Sequence, residues 1–470
     1  LTLPPQLKTL NLAGCEFPPE KIPMNSLIKL KNLEWLSLEG NSFTGVLPAT
    51  ELAALKKLTY LDLSRNDLVG PLPIGLCNLA TIQELHLEGN TIGGVLPNCG
   101  AGKLPKLKSL HLQENQLVGP LPVGLCNLAS TEEMFFGSNM IGDPIPTCAV
   151  GKLTKLRLLD LSNNQLEAPL PTGLCNLANI QELYLTGNTI GGQIPDCVGS
   201  LKSLKSLNLD YNKLTGTLPT SLCNLANIES MVLRENDIGG AIPNCGVGQL
   251  SKLKFLYLAD NYLAGTLPTG LCNLNSIEEM DLDRNDIGGA FPDCSAGSLQ
   301  SLRRLYAMDN ELVGPLPSSL CNLASIEEML LVGNEIGGSI PDCGAGSLPK
   351  LSFFGLDHNQ LTGNLPSGLC NLGEEHKNTH FDLSYNQLTG NIVDCFGGRK
   401  VFLALNNNDF QGPIPVGLQG LSFLSVACNS QMTGTVPTEI CDGSGQVFLG
   451  DTDSIECGSA TCCTSPWPCD

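Results

Sequence analysis

The chain has 470 residues and a formal charge of −20, with 26 Lys+Arg against 46 Asp+Glu and no basic run, which sets aside nucleic acid and anionic membranes as partners. Hydrophobic residues make up 42% of it, enough for a packed core and too many for a disordered chain. Aromatic residues make up only 5%, so Leu, Ile, Val and Cys must fill that core.

No apolar run approaches the roughly 20 residues of a membrane-spanning helix. The 21 cysteines come without C-x2-C zinc pairs in the body of the chain, so an oxidising compartment is expected. The chain begins at Leu1 without a signal peptide, as expected of a processed form or a piece of a longer protein, and it contains no N-x-[ST] acceptor.

In chain order, the first element is a turn around Leu10-Asn11-Leu12, where Cys15 takes the place that Asn holds later. From Asn41 onward the pattern L-x-x-L-x-L-x-x-N-x-[LI]-x-G-x-[LI]-P recurs, through Asn66, Asn90, Asn115 and so on to Asn429, at a spacing of 24 or 25 residues until the last few. With the Cys15 turn this makes about 18 turns in phase. The alternating L-x-L piece predicts a short strand that pairs in parallel with the next turn's strand and points its leucines inward. The Asn is expected to serve backbone groups of its own bend and of the neighbouring turn. The x-G-x-[LI]-P piece predicts a second extended stretch, and L-C-N-L a short 3-10 return. The whole predicts an α/β solenoid, a superhelix of stacked coils with a parallel concave β-sheet.

The turns alternate between two types, giving a true period near 49 residues. One type reads G-x-L-P-x-x-L-C-N-L and carries Cys77, Cys126, Cys175, Cys223, Cys272, Cys321 and Cys370. The other reads I-G-G-x-[ILF]-P-x-C and carries Cys99, Cys148, Cys197, Cys245, Cys294 and Cys343, with Cys395 in a looser turn. These cysteines fall 11 and 9 residues after their Asn, at similar places on adjacent coils. Disulfides Cys77–Cys99, Cys126–Cys148, Cys175–Cys197, Cys223–Cys245, Cys272–Cys294, Cys321–Cys343 and Cys370–Cys395 are expected, with a column of buried free thiols as the alternative. Residues 1–437 then form the solenoid and residues 438–470 a disulfide-rich C-terminal cap over the final leucine layer. Cys15, Cys428, Cys441, Cys457, Cys462, Cys463 and Cys469 lie outside the ladder. Because seven is odd, one is expected to be unpaired or bonded outside the chain, with Cys15 the candidate.

Side chains between the inward leucines face outward from the sheet. Four residues before successive Asn stand His86, His111, Phe135, Asp160, Tyr184, Asn208, Val232, Tyr257, Asp281, Tyr306 and Leu330. His86, His111, Phe135, Tyr184, Tyr257 and Tyr306 are the candidate binding residues, because such rings offer contact area and hydrogen bonds at low entropic cost. The alternative is plain cross-strand packing. Glu84, Glu133, Glu182, Glu279 and Glu328 alternate with Lys108, Arg157, Lys205, Lys254 and Arg303, an arrangement that reads as a register and solubility device. Asp196, Asp293, Asp342 and Asp394 flank the second cysteine set, where carboxylates in a row offer an alternative reading as a cation-binding rim.

Enzyme chemistry is poorly represented. Histidine is limited to His86, His111, His358, His376 and His380, and no phosphate loop, G-x-S-x-G or H-E-x-x-H is present. No cofactor, metal or catalytic residue is expected. His86 and His111 on adjacent strands, with Glu84, offer the residue types of a metal site, but outward histidines are usually only solvated.

The L-x-G-x-[IL]-P turns, over about residues 5 to 437, resemble the plant-type extracellular leucine-rich-repeat family of receptor-kinase ectodomains and polygalacturonase-inhibitor proteins. The resemblance implies a non-enzymatic extracellular or cell-surface scaffold that recognises a protein, peptide or polysaccharide on its concave face. A hydrolase inhibitor is a special case of that reading. The monotony of the turns and the odd cysteine leave open a structural role in a cell wall, appendage or matrix, by self-assembly or a covalent link through the unpaired cysteine.

Overall fold

A computed structural model describes residues 3–142, 144–375, 378–442, 445–450 and 454–467. The expectations on His376 and Cys469 lie outside these described residues. The chain divides into two compact units, residues 1–237 and 238–470.

In the first unit the L-x-L pieces form three-residue strands, such as Trp35–Ser37, Tyr60–Asp62, Glu84–His86, Ser109–His111 and Glu133–Phe135. They pair in parallel with the central leucine or methionine in register, Leu36 with Leu61, Leu61 with Leu85, Leu85 with Leu110 and Leu110 with Met134. Leu36, Leu61, Leu85 and Met134 are all buried. Period-two alternation leaves the residues on either side of each facing outward. A second parallel sheet comprises Glu20–Lys21, Phe43–Gly45, Asp67–Pro71, Thr91–Gly94, Gln116–Pro120 and Met140–Gly142. Gly45, Gly70, Gly94 and Gly119 in it take a left-handed backbone; at Gly94 (φ 74°) a Cβ would come within 2.9 Å of Pro71.

After Asn164 the unit keeps isolated ladder hydrogen bonds instead of regular second strands. Gln165 N–H donates to Ile141 O at 2.9 Å and Lys213 N–H to Ile190 O at 3.0 Å. This departs from a second strand in every turn, and it sets in where Ala168 replaces the glycine that is left-handed one block earlier (Gly119, φ 72°). The return segments are 3-10 turns, Ile74–Asn78, Val123–Asn127, Thr172–Asn176 and Thr220–Asn224, each entered from a proline that fixes φ.

The second unit repeats the plan. Its L-x-L strands run from Phe255–Tyr257 through Glu279–Asp281, Arg304–Tyr306, Glu328–Leu330, Phe353–Gly355, Asn378–Asp382, Lys400–Ala404 and Phe423–Ser425. The segment past residue 437, expected as a cap, adds two more parallel strands, Gln446–Gly450 and Cys463–Trp467, to the same sheet. Disulfides Cys441–Cys462 and Cys457–Cys463 tie it. Among the described residues, no helix is long and apolar enough to cross a membrane.

The bend asparagines link the turns. Asn188 Nδ2 donates to Leu161 O, Leu185 O and Thr186 O at 3.0, 2.9 and 3.3 Å, while its Oδ1 accepts from Leu166 N–H at 3.1 Å. One buried amide thus serves its own bend and the preceding turn, in groups that water does not reach.

The cysteines of adjacent turns are bridged as Cys77–Cys99, Cys126–Cys148, Cys175–Cys197, Cys272–Cys294, Cys321–Cys343 and Cys370–Cys395, with Cα–Cα distances of 5.4 to 5.9 Å. Cys223, Cys245 and Cys428 are also disulfide-bonded. Cys15 is free and exposed.

Candidate functional site

The outward face of the first unit carries a continuous run of rings on five successive strands. Trp35 stacks on Tyr60 with centroids 3.4 Å apart, and Tyr60 leans on His86 at 5.2 Å. His86 stacks on His111 at 4.2 Å and His111 on Phe135 at 4.4 Å. The register brings His86, His111 and Phe135 opposite one another, while Trp35 and Tyr60 occupy the strand position that holds Glu84 in the next turn. Trp35 is 39% exposed, and none of the five lies among the core leucines.

The other expected residues stand apart from this run. The hydroxyl of Tyr184 donates to Glu182 Oε2 at 2.8 Å, that of Tyr257 to Glu279 Oε2 at 2.6 Å, and that of Tyr306 to Glu328. Burial and the adjacent carboxylate raise the Tyr184 and Tyr306 phenols above their usual range. In the second unit Asp281 lies between Tyr257 and Tyr306 in the column. The candidate residues therefore form one cluster of three and a set of separated tyrosines, each locked to a glutamate.

Sequence reasoning missed two sets of rings. Trp35 and Tyr60 extend the ring run from a neighbouring column, so counting back four residues from Asn passes over them. In the second unit Phe353, His380, Phe402, Phe423 and Phe448 form another outward run, with centroids 4.0 to 5.2 Å apart. The signal was an aromatic just before or after the central Leu or Phe of the strand.

Electrostatics concentrate at the two histidines. His86 Nε2 lies 3.8 Å from Glu84 Oε2 and its Nδ1 3.7 Å from Glu88 Oε1. Burial pulls His86 down, but Glu88, Asp62 and Glu84 outweigh it and raise the imidazole above its ordinary value. His111, pushed down by burial and by His86, falls to about 4. The carboxylate nearest both rings is Glu88, not the Glu84 picked out from sequence: single ligand atoms of His86, Glu88 and His111 lie within 4.8 Å of one another. Glu84 and Glu88 both flank His86 at two residues, and alternation alone does not choose between them.

Of the basic set, Arg157 and Arg303 sit opposite glutamates across strands, and their near partners are Glu132 and Glu327, one residue before the expected Glu133 and Glu328. Arg157 Nη2 is 2.9 Å from Glu132 Oε2, and Arg303 Nε is 2.9 Å from Glu327 Oε1. Asp342 and Asp394 do not line a cation rim. Their Oδ1 atoms accept the backbone N–H of Gly368 and Gly417 at 2.7 and 2.6 Å, and so cap the next turn's 3-10 segment.

Solved structures share this architecture. The Arabidopsis receptor kinase HAESA, in complex with the peptide hormone IDA and the co-receptor SERK1, is 27% identical over 96% of this chain and 76% of that chain, with a TM-score of 0.78. The HAESA ectodomain with an N-terminally extended IDA peptide is 30% identical over 94% of this chain and 78% of that one, with a TM-score of 0.66. A leucine-rich-repeat protein of Leptospira interrogans is 30% identical over 77% of this chain and 88% of that chain, with a TM-score of 0.63. No curated protein sequence matches.

Coils that spend their leucines and asparagines on the interior and leave one sheet face to other side chains define a repeat scaffold. The family description "Leucine-rich repeat region" matches residues 6–193, and "Leucine Rich Repeat" matches residues 203–225, 252–274, 350–372 and 379–398. The chain belongs to the leucine-rich-repeat family, in its plant-type extracellular class.

Proposed function

We propose that the chain is a non-enzymatic extracellular recognition scaffold, and that its ligand is a peptide or protein segment laid across the outward sheet face between Trp35 and Phe135. The observation that carries this reading is the unbroken run of Trp35, Tyr60, His86, His111 and Phe135, which the core does not use. Stacked rings offer a rigid apolar surface, and Glu84, Glu88 and Glu133 beside them accept hydrogen bonds from a peptide backbone or a basic side chain. The disulfides between turns fit an oxidising, extracellular setting. HAESA, a relative over most of this chain, is a receptor kinase whose ectodomain holds a peptide hormone, and that supports the same class of ligand here.

Selection of a random-peptide display library on the immobilised, oxidised chain tests this. Enriched peptides are expected to bind in solution and to lose roughly 30-fold in affinity with Trp35→Ala or Phe135→Ala, the scale of an interface hot spot of about 2 kcal/mol. A library without enriched clones, beside a glycan array with specific hits, would replace the peptide by a polysaccharide.

A structural role in an extracellular assembly is favoured by one observation, the exposed free thiol of Cys15. Non-reducing electrophoresis separates the readings: a disulfide-linked dimer or larger species that vanishes with Cys15→Ser supports assembly, and a single monomer band supports the recognition module.

A further inference from the structure

His86 and His111 stand opposite each other on neighbouring strands, and Glu88 lies two residues beyond His86 on the same outward side. One ligand atom of each falls within 4.8 Å of the other two. No hydrogen bond satisfies this end of the cluster. His86 Nδ1 and Glu88 Oε1 are 3.7 Å apart, too far for one, and Glu88 Oε2 is buried with no hydrogen-bond partner. A buried carboxylate oxygen left without a donor is unfavourable, and a cation between the three groups would remove that cost.

The far ends of both rings are disposed as in a metal centre. His111 Nε2 is 2.8 Å from Ser109 Oγ, which in turn donates to Glu133 Oε2 at 3.3 Å. His86 Nε2, buried without a hydrogen-bond partner, faces Glu84 Oε2 at 3.8 Å. Metal-binding histidines commonly direct the nitrogen remote from the ion at a carboxylate or other acceptor, which fixes the ring and raises its basicity. The contact with Ser109 holds His111 Nε2 and leaves Nδ1 as the lone pair that ring has to offer, whereas His86 Nε2 faces Glu84 without a hydrogen bond.

We infer that His86, Glu88 and His111 form a binding site for a divalent transition-metal ion of the zinc class, through two imidazole nitrogens and one carboxylate oxygen. Two imidazoles select against calcium and magnesium, which take oxygen donors, and in favour of zinc, copper or nickel. Ligand bonds of about 2.0–2.2 Å require the donors to close in and the two stacked rings to turn out of their stack so that their lone pairs converge. Three protein ligands leave at least one coordination position for water or for a donor atom of a bound partner. The site shares His86, His111 and Glu88 with the surface proposed for the peptide, but the inference rests on different observations, the donor set and the unpartnered Glu88 oxygen.

The test uses the full oxidised chain without an affinity tag, carrying Cys15→Ser so that the free thiol does not compete, and stripped with a chelator. Calorimetric titration with Zn2+ is expected to show one equivalent bound. Electron paramagnetic resonance of the Cu2+-loaded chain is expected to show coupling to two imidazole nitrogens. His111→Gln and Glu88→Gln each weaken Zn2+ binding by at least the roughly 10- to 100-fold that outer partners cost, Ser109→Ala falls within that range, and His358→Ala in the second unit changes nothing. The inference is overturned if no stoichiometric Zn2+ binding appears, if the Cu2+ spectrum lacks nitrogen coupling, or if folded His111→Gln and Glu88→Gln chains bind as the parent does. Should either variant fail to fold, the copper spectrum of the parent decides.

Discussion

Asp283 shows how one buried group is carried by its surroundings. Its side chain is 7% exposed, beside Asp281 and Asp309, and burial pushes the carboxyl up to about 6. Only the Met308 N–H, at 2.7 Å from Oδ1, and the neighbouring Arg284 pull the other way. A carboxyl that titrates higher in the folded than in the unfolded chain binds more protons when folded. Its contribution is therefore fully present below about pH 4 and is lost as pH rises through about 6, on the order of 2–3 kcal/mol in all. Denaturant unfolding of the parent and of Asp283→Asn at about pH 4 and pH 7 is expected to show the parent losing stability relative to the variant at the higher pH; parallel behaviour would mean that the carboxylate is better solvated than its burial implies. The bend asparagines face the opposite situation. Asn188 fills four hydrogen bonds with one neutral amide and carries no charge to desolvate, which is why such a group can repeat down the interior and Asp283 cannot.

Among elements, the 3-10 returns and their disulfides set the pairing of turns. Cys126 lies in the return Val123–Asn127 and bonds Cys148 of the following coil, 22 residues on. Closing a loop of that length is worth about 3 kcal/mol in the chain-entropy picture. The double variant Cys126→Ser with Cys148→Ser is expected to lose about that much in denaturant unfolding with an unchanged far-UV spectrum; a loss below about 1 kcal/mol would show that the coil holds the two ends together without the bond. The spacing of these cysteines was legible because both types sit at fixed offsets from a bend Asn, and the coil turns that offset into proximity. The role of Asp342 and Asp394 was not legible. A carboxylate beside a cysteine reads equally as a cation ligand or as a cap, and only the position of Gly368 and Gly417 in the next turn decides.

For the molecule as a whole, the fold was readable in advance because each leucine and asparagine must do in its turn what its equivalent does in the next. A departure came where a single residue breaks the repeat, as Ala168 does in the second sheet; past residue 437, where the repeat pattern ends, the disulfide-tied segment adds two further strands to the sheet. The ring run was half legible. Counting from the Asn found His86, His111 and Phe135, but the contact of Tyr60 with His86 crosses columns, and the approach of Glu88 depends on side-chain packing that no spacing encodes.

The bridging of odd to even turns also dictates how such a chain can change length. Asn115 and Asn164 are equivalent bends 164 − 115 = 49 residues apart, and the stretch between them contains Cys126 and Cys148 together. Excising residues 116–164 rejoins like to like and leaves no cysteine widowed, so the shortened chain is expected to fold with every remaining bridge intact, as thiol titration and a cooperative calorimetric transition would register. Removing residues 116–139 alone strands Cys148 and should yield an extra reactive thiol. Growth and contraction of this protein are thereby quantised in pairs of coils.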